Sequence, residues 1–475
     1  MNLIKTVARI ILIGTPLLAS CTVGPAYVRP TPLTAMPAAF KEQEGWKVAQ
    51  PQDSRIPEQW WKIYNDPTLN SLAEQVAVSN LTVAAAEAQF RQARALVQAA
   101  KAGSFPSLTA GAAATRSRRS ANLGAGTGNG SASSDFQLPL DLTWELDLWG
   151  RVRRGVEASQ ASTQASAADL AAVTLSMQAE LALDYLQLRV LDAQKKMLDD
   201  TTTAYRKSLE LTQNRYAAGV AAKSDLLQAK TQLRSNEAQS IDLGVQRAQL
   251  EHAIALLIGK APAVFSLAST PVITGIPVMP TGVPSELLER RPDIASSERR
   301  MAAANAQIGI AQAAYYPTIR LSAAAGLESS SLTSLFSLPS RFWSIGSAAS
   351  ATLFDGGLRQ AQSDQAKAVY DATVANYRET VLSGFQEVED NLAALRILEE
   401  ESRVQDQAVQ AAQQVVTITM NQYAAGTVAY LNVLVAQTTA LANERTALGI
   451  QGHRLAASVL LVKALGGGWV SRESK

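Results

Sequence analysis

The chain is poor in the residues that most chemistry needs. It carries one cysteine and two histidines in 475 residues. A lone Cys forms no intrachain disulfide and no Cys-rich metal site, and two His leave little for metal or proton chemistry. No charge of one sign predominates: 43 Lys+Arg stand against 41 Asp+Glu, and removing Lys5 and Arg9, which lie in a leader, leaves 41 against 41. Neutrality without a basic run lacks the electrostatic footprint of nucleic-acid binding, so no nucleic-acid partner is expected. With 47% apolar residues and mean hydropathy near zero, the chain is neither disordered nor a polytopic helical membrane protein. P-loop, HExxH and GxSxG patterns are missing, and the Gly-rich run from Gly124 to Gly130 fails the GxGxxG spacing and opens no helix. His252 and His453 do not match one another across the repeat described below and are expected to be ordinary helix residues. An enzyme with a bound cofactor or metal is therefore not expected.

What is present begins with an export signal. Lys5 and Arg9 precede a short apolar run, Ile10 to Leu18, too brief to anchor in a bilayer. It ends in Leu18-Ala19-Ser20-Cys21, a pattern that resembles the bacterial lipobox, with the only cysteine of the chain at the acylated position. Residues 1–20 are thus expected to be removed and Cys21 to carry a covalent lipid, each buried CH₂ adding about 0.8 kcal/mol of membrane attachment. Residues 21–57, with Pro25, Pro30, Pro32, Pro37, Pro51 and Pro57, are expected to form an extended strap.

The remainder is an internal duplication. Tyr216-Ala-Ala-Gly219 recurs as Tyr423-Ala-Ala-Gly426, an offset of 207, and Leu227, Asn236, Arg247 and Gly259 recur as Leu434, Asn443, Arg454 and Gly466. The first repeat spans 58–259, the second 285–466, with an equatorial linker at 260–284 and a tail at 467–475. Each runs helix, strand, loop, strand, long helix, Tyr-Ala-Ala-Gly turn, helix. Residues 136–148 alternate large apolar side chains at even positions with polar ones or Pro at odd positions, a period of two. Weaker alternation marks strands at about 107–115, 318–328 and 342–354. Such strands suit an outer-membrane barrel, apolar outward and polar inward, although a soluble sandwich strand alternates in the same way.

Between Arg151 and Ala218 there is no Pro and one Gly. A helix over 151–218, at 1.5 Å per residue, would be about 100 Å long, and the second repeat predicts its counterpart over 358–425. Leu170, Met177, Leu191, Leu198 and Tyr205 follow a seven-residue lattice interrupted by Asp184 and Lys195, which is coiled-coil packing. Four strands cannot close a membrane barrel, which needs about eight. The chain is therefore expected to oligomerise, two copies giving eight strands and three giving twelve.

The motifs Cys21-Thr-Val-Gly-Pro-Ala-Tyr27, Trp60-Trp-Lys-Ile-Tyr-Asn-Asp-Pro-Thr-Leu69, Arg290-Arg-Pro-Asp-Ile294, Ala303-Ala-Asn-Ala-Gln-Ile-Gly309 and Leu353-Phe-Asp-Gly-Gly357 resemble the outer membrane factor (TolC-like) family, in its lipoprotein branch that serves resistance-nodulation-division pumps. The resemblance implies an α+β membrane protein: a homotrimer with a twelve-strand outer-membrane β-barrel, four strands per chain, continuous with a twelve-helix periplasmic α-barrel. It implies a passive duct for drugs or other small molecules, working with a periplasmic adaptor and an inner-membrane pump, with type I protein secretion or a non-transport periplasmic scaffold as alternatives. Thr22 after the lipidated Cys favours the outer membrane. The family also implies that the hairpin turns at Tyr216, Gly219 and Gly426 dock the adaptor, and that Tyr423 and Asp225 form a closing link at a periplasmic gate. Where some members carry an Arg in the turn and acids in the constriction, Val428, Asn432 and Val435 stand here, so a strongly cation-binding ring is not expected.

Overall fold

The computed structural model of the protein describes residues 22–31, 40–41, 59–118, 120, 132–270, 275–277 and 290–469. The signal segment, Cys21, most of the strap, parts of the linker at 271–274 and 278–284, and the end of the tail lie outside these. The chain forms two compact units, and neither coincides with a repeat. One comprises the described parts of Met1–Thr31 with Phe90–Ser166 and Ser297–Tyr377; the other takes Pro32–Gln89, Ala167–Ser296 and Arg378–Lys475, again as far as described. Each draws on both halves of the duplication.

In chain order the elements are α1 (Pro67–Ser79), α2 (Leu81–Ala102), β1 (Ser107–Ala110), β2 (Ala113–Arg118), β3 (Ala132–Leu146), α3 (Arg151–Ala217), α4 (Lys223–Leu257), α5 (Pro292–Ala313), β4 (Thr318–Ser329), β5 (Arg341–Ser350), α6 (Leu358–Ala424) and α7 (Tyr430–Ala464). The long helices α3 and α6 have 67 residues each, and their partners α4 and α7 have 35 each. No helix among the described residues is long and apolar enough to cross a membrane.

The first unit holds one antiparallel sheet in which β1 and β2 both pair with β3, β3 with β4, and β4 with β5. The segment expected as a single strand at 107–115 is split, and Pro139 is the reason. Ser107 faces Thr143, Ala110 faces Leu140 and Ala113 faces Gln137, so the register runs unbroken from β1 to β2. Gly111 donates its N–H to the Pro139 carbonyl at 2.9 Å, but Pro139 has no N–H to return. On its other side Pro139 faces Gly326, where a Cβ would lie 2.3 Å from the Leu138 carbonyl oxygen, so only glycine fits. The strand expected to reach Phe354 ends at Ser350, leaving Leu353 and Phe354 exposed beyond it.

Register gathers the apolar positions on one face. With β1 and β2 counted as the two halves of one strand in a four-stranded sheet, Leu108, Leu142, Ala323 and Ile345 form one rung across β1, β3, β4 and β5, and Ala110, Leu140, Ala325 and Trp343 form the next. The opposite face pairs Ser107 with Thr143, Thr109 with Asp141, Glu145 with Arg320 and Gln137 with Glu328. At the helix end of the sheet the chain entering at Thr22 is tied down. Val23 donates to the Trp149 carbonyl at 3.1 Å, Asn305 donates to the Pro25 carbonyl at 3.1 Å, and Tyr27 donates to Glu298 at 2.7 Å.

The second unit is helical, with its core around Trp60, Trp61, Tyr64, Leu181, Leu188 and Val459. Asp66 caps α1 through Thr68 and Leu69 and accepts the Tyr185 hydroxyl at 2.5 Å. Buried Asp192 binds Arg189 at 3.1 Å, Arg247 at 2.8 Å and the Thr270 N–H at 3.1 Å, while Arg247 also holds the Leu267 carbonyl. This charged knot straps the start of the linker to α3 and α4. Arg291 does comparable work in the second repeat, bridging Asp293, Glu387 and the last carbonyl of α7, Ala464.

Candidate functional site: the paired hairpin turns

The Tyr-Ala-Ala-Gly turns join α3 to α4 and α6 to α7. Gly219 and Gly426 sit at φ +77° and +82°, a conformation that costs other L-residues free energy. Val220 donates to the Arg215 carbonyl at 2.9 Å and Gly219 to that of Tyr216 at 2.9 Å. Thr427 and Gly426 repeat the pattern onto Gln422 and Tyr423, both at 3.0 Å. These are Schellman caps, which satisfy the last carbonyls of each helix and reverse the chain.

The two turns use their tyrosines differently. Tyr423 is 2% exposed and Tyr216 41%. Tyr423 packs edge-on against Tyr430 with ring centroids 5.5 Å apart, in a cluster with Ala229 and Val433 to which Leu209, Met420 and Val428 add partly buried surface. Burial pushes the Tyr430 hydroxyl above its ordinary range, and the negative field of nearby Asp225 adds to the shift. Arg215 closes the cluster. Its guanidinium lies 4.8 Å from the centre of the Tyr423 ring and donates to the carbonyls of Tyr423 at 2.8 Å and Ala424 at 3.1 Å. A cation of the first turn thereby stacks on the aromatic ring of the second turn and caps its helix.

The expected Tyr423–Asp225 hydrogen bond is absent from the protomer. The Tyr423 hydroxyl donates to Thr212 at 3.3 Å inside the cluster, while Asp225 is half-buried in the first turn of α4. Of the other sites expected from the family, Val428 packs on the tyrosine cluster, and Asn432 and Val435 are exposed on α7. Gly219 has open space where a Cβ would stand. Cys21 lies outside the described residues, and none of those described forms a cluster able to hold a metal ion. Arg215, Thr212 and Tyr430 were not expected in the site. A signal for two of them was present in the duplication, because Gln422 stands where repeat one has Arg215 and Lys223 where repeat two has Tyr430.

Comparison with known proteins settles the family: the outer membrane efflux protein family matches residues 72–260 and 283–467, once per repeat. The chain belongs to the outer membrane efflux protein family. It is an outer-membrane protein of efflux, and nothing in that assignment calls for enzymatic chemistry. Among its relatives, the pyoverdine export outer membrane protein OpmQ of Pseudomonas aeruginosa is 31% identical over 93% of this chain and 94% of its own. The toluene efflux pump outer membrane protein TtgF of Pseudomonas putida is 30% identical over 95% of both chains. The fold is that of solved outer-membrane channels. OprN superposes with a TM-score of 0.88 at 32% identity, covering 94% of this chain and 100% of OprN. VceC of Vibrio cholerae gives 0.79 at 29% identity, covering 86% of this chain and 98% of VceC. The efflux family's fold thus carries, in this member, a turn-to-turn lock built on Tyr423 and Arg215.

Proposed function

We propose that the protein is the outer-membrane duct of a tripartite efflux pump, a homotrimer whose three four-stranded sheets close a twelve-strand barrel and whose helices form a twelve-helix barrel in the periplasm. The observation that carries this reading is the single apolar face running in register across all four strands, with a polar face opposite. A four-stranded sheet with open edges and an exposed apolar face is incomplete alone and becomes a membrane barrel on closure. A periplasmic adaptor docks at the exposed turn around Tyr216 and Gly219, and an inner-membrane resistance-nodulation-division pump delivers the cargo. The cargo is small molecules, a reading supported by relatives named for export of pyoverdine and toluene. Cys21 carries a lipid that tethers the N-terminus to the outer membrane just before the tied segment that begins at Thr22.

The face assignment provides the test. Arg at Leu142 places charge on the lipid side and costs roughly 2–4 kcal/mol near the bilayer midplane, while Arg at Thr143 faces a wet lumen and is tolerated. Heat-resistant trimers and single-channel conductance in planar bilayers are expected for wild type and Thr143→Arg, and loss of trimer for Leu142→Arg. Equal assembly of the two variants overturns the membrane reading. Lipidation is checked separately: palmitate labelling is expected to vanish in Cys21→Ser, and persistent labelling rejects it.

A further inference from the structure

The apolar face of the sheet ends differently at its two edges. At the helix end it is bordered by aromatics: Phe105 and Tyr316 are exposed, Trp144 donates its indole N–H to the Ser104 carbonyl, and Trp149 stacks on Tyr316 at 4.8 Å. At the loop end it is bordered by arginines. Arg116 and Arg118 share the parity of Leu108, Ala110 and Ala114, with Arg116 opposite Ser134 and Arg118 opposite Ala132. Arg341 faces Leu327 and so lies on the same side at the start of β5. All three are exposed, and none is in an ion pair among the described residues. A cavity of about 420 Å³ opens beside Arg341 and includes the hydroxyl-bearing Ser134, Ser329 and Ser340. Asp135 and Glu328 also line it but carry the opposite parity, that of the polar face.

Strand geometry sets the level of these cations. From Leu146 to Phe136 the apolar face runs ten steps of about 3.3 Å, roughly 33 Å along the strand. A tilt near 40° reduces this to about 25 Å of height, the thickness of a barrel's apolar band. Arg116 comes one rung beyond Phe136 and Arg118 two rungs beyond. Both clear the hydrocarbon and stand at headgroup level, and Arg341, one rung below Phe136, snorkels to the same level.

We propose that Arg116, Arg118 and Arg341 form a binding rim for the phosphorylated headgroup of the lipid that fills the outer leaflet, a phosphorylated glycolipid of the lipopolysaccharide type. An arginine on the apolar side of the sheet, in no ion pair among the described residues and with serine hydroxyls nearby, offers the bidentate donors that phosphate oxygens take. The ligand is lipid rather than free phosphate because the cations crown an apolar face. The acyl chains of the same molecule then lie along Leu138, Leu140 and Trp343. The proposal rests on the membrane reading above.

The test measures lipopolysaccharide retained by the detergent-extracted, full-length trimer, as phosphate and by native mass spectrometry. Wild type is expected to retain it, and Arg116→Gln, Arg118→Gln and Arg341→Gln together to lower affinity about a hundredfold, taking about fivefold for each basic side chain at an anionic surface. Lipopolysaccharide stripped of its phosphates is expected to bind wild type about a hundredfold more weakly than intact lipopolysaccharide does, a comparison that needs no variant to fold. Equal retention by wild type and a triple variant that still forms conducting trimers overturns the rim while leaving the duct intact. Equal binding of intact and dephosphorylated lipid, or displacement of the lipid by millimolar inorganic phosphate, overturns it as well. Failure of the membrane reading shows elsewhere, in equal assembly of Leu142→Arg and Thr143→Arg.

Discussion

The two hairpin turns share one backbone, and their corresponding tyrosines do opposite things. In both, a glycine at positive φ directly after Tyr-Ala-Ala completes a Schellman cap. Tyr423 is nevertheless buried and Tyr216 exposed. The difference arises from the neighbours. Repeat two places Val428 and Tyr430 after the turn, which make an apolar seat for Tyr423, whereas the corresponding positions of repeat one are Ala221 and Lys223. Repeat one instead supplies Arg215, which reaches across to the second turn. Duplication therefore preserved the cap and divided the labour: one turn is the locked element, and the other supplies the lock and leaves its own tyrosine exposed.

The largest expected effect tests this asymmetry directly. Tyr423→Ala removes a buried aromatic and is expected to destabilise the second turn by about 3–5 kcal/mol. Tyr216→Ala removes an exposed ring and is expected to change local stability by no more than about 0.5 kcal/mol. Hydrogen exchange of the backbone amides of 423–433 and of 216–226 reads both. Similar protection losses in the two turns would mean that Tyr216 is also seated, in contact with another copy of the chain.

Next comes the lock itself. Arg215→Gln installs the residue that repeat two carries at this position, and it is expected to loosen the second turn by about 1.5–3 kcal/mol, the range for a charge-assisted hydrogen bond. In the proposed trimer, with the second turns at the periplasmic gate that the family resemblance implies, single-channel conductance is expected to rise. Gln422→Arg, the reverse exchange, is expected to leave conductance unchanged, since repeat one offers no buried tyrosine to cap. A wild-type conductance for Arg215→Gln would place the closing contacts between protomers.

What could be read before the structure depended on whether a signal was local. Strand alternation is local, since successive Cβ atoms point to opposite faces, and the shared apolar parity of residues 136–148 and 318–328 followed from it. The split between β1 and β2 was not legible, because it originates in Pro139 on a partner strand 28 positions beyond Gly111. At the turns, family resemblance paired Tyr423 with Asp225, whereas within the protomer the buried hydroxyl donates to Thr212. Arg215 read alone is an ordinary cation at a helix C-terminus. Only the mismatch with Gln422 between otherwise faithful repeats marked it, and that mismatch takes on meaning once the two turns are seen side by side.

The smallest expected effect lies further along the same pair of helices. Asp184 stands 33 residues past Arg151 in α3, and Asn391 stands 33 past Leu358 in α6, so the second repeat carries the neutral amide where the first carries an acid. Burial, aided by Glu180 one helical turn away, pushes the Asp184 carboxyl up to about 6. In the unfolded chain the same group titrates near pH 4, at about 3.9. Folding therefore favours the protonated form: the stability this confers is fully present below about pH 4 and is lost as pH rises through about 6. Asp184→Asn, which copies the second repeat into the first, is expected to match wild type at pH 4 and to raise the unfolding temperature modestly at pH 8. Asn391→Asp is expected to import the same loss into the second repeat. An Asp184→Asn shift of equal size at both pH values would show that the amide acts through packing, and that the acid-amide difference between the repeats is not a difference in charge.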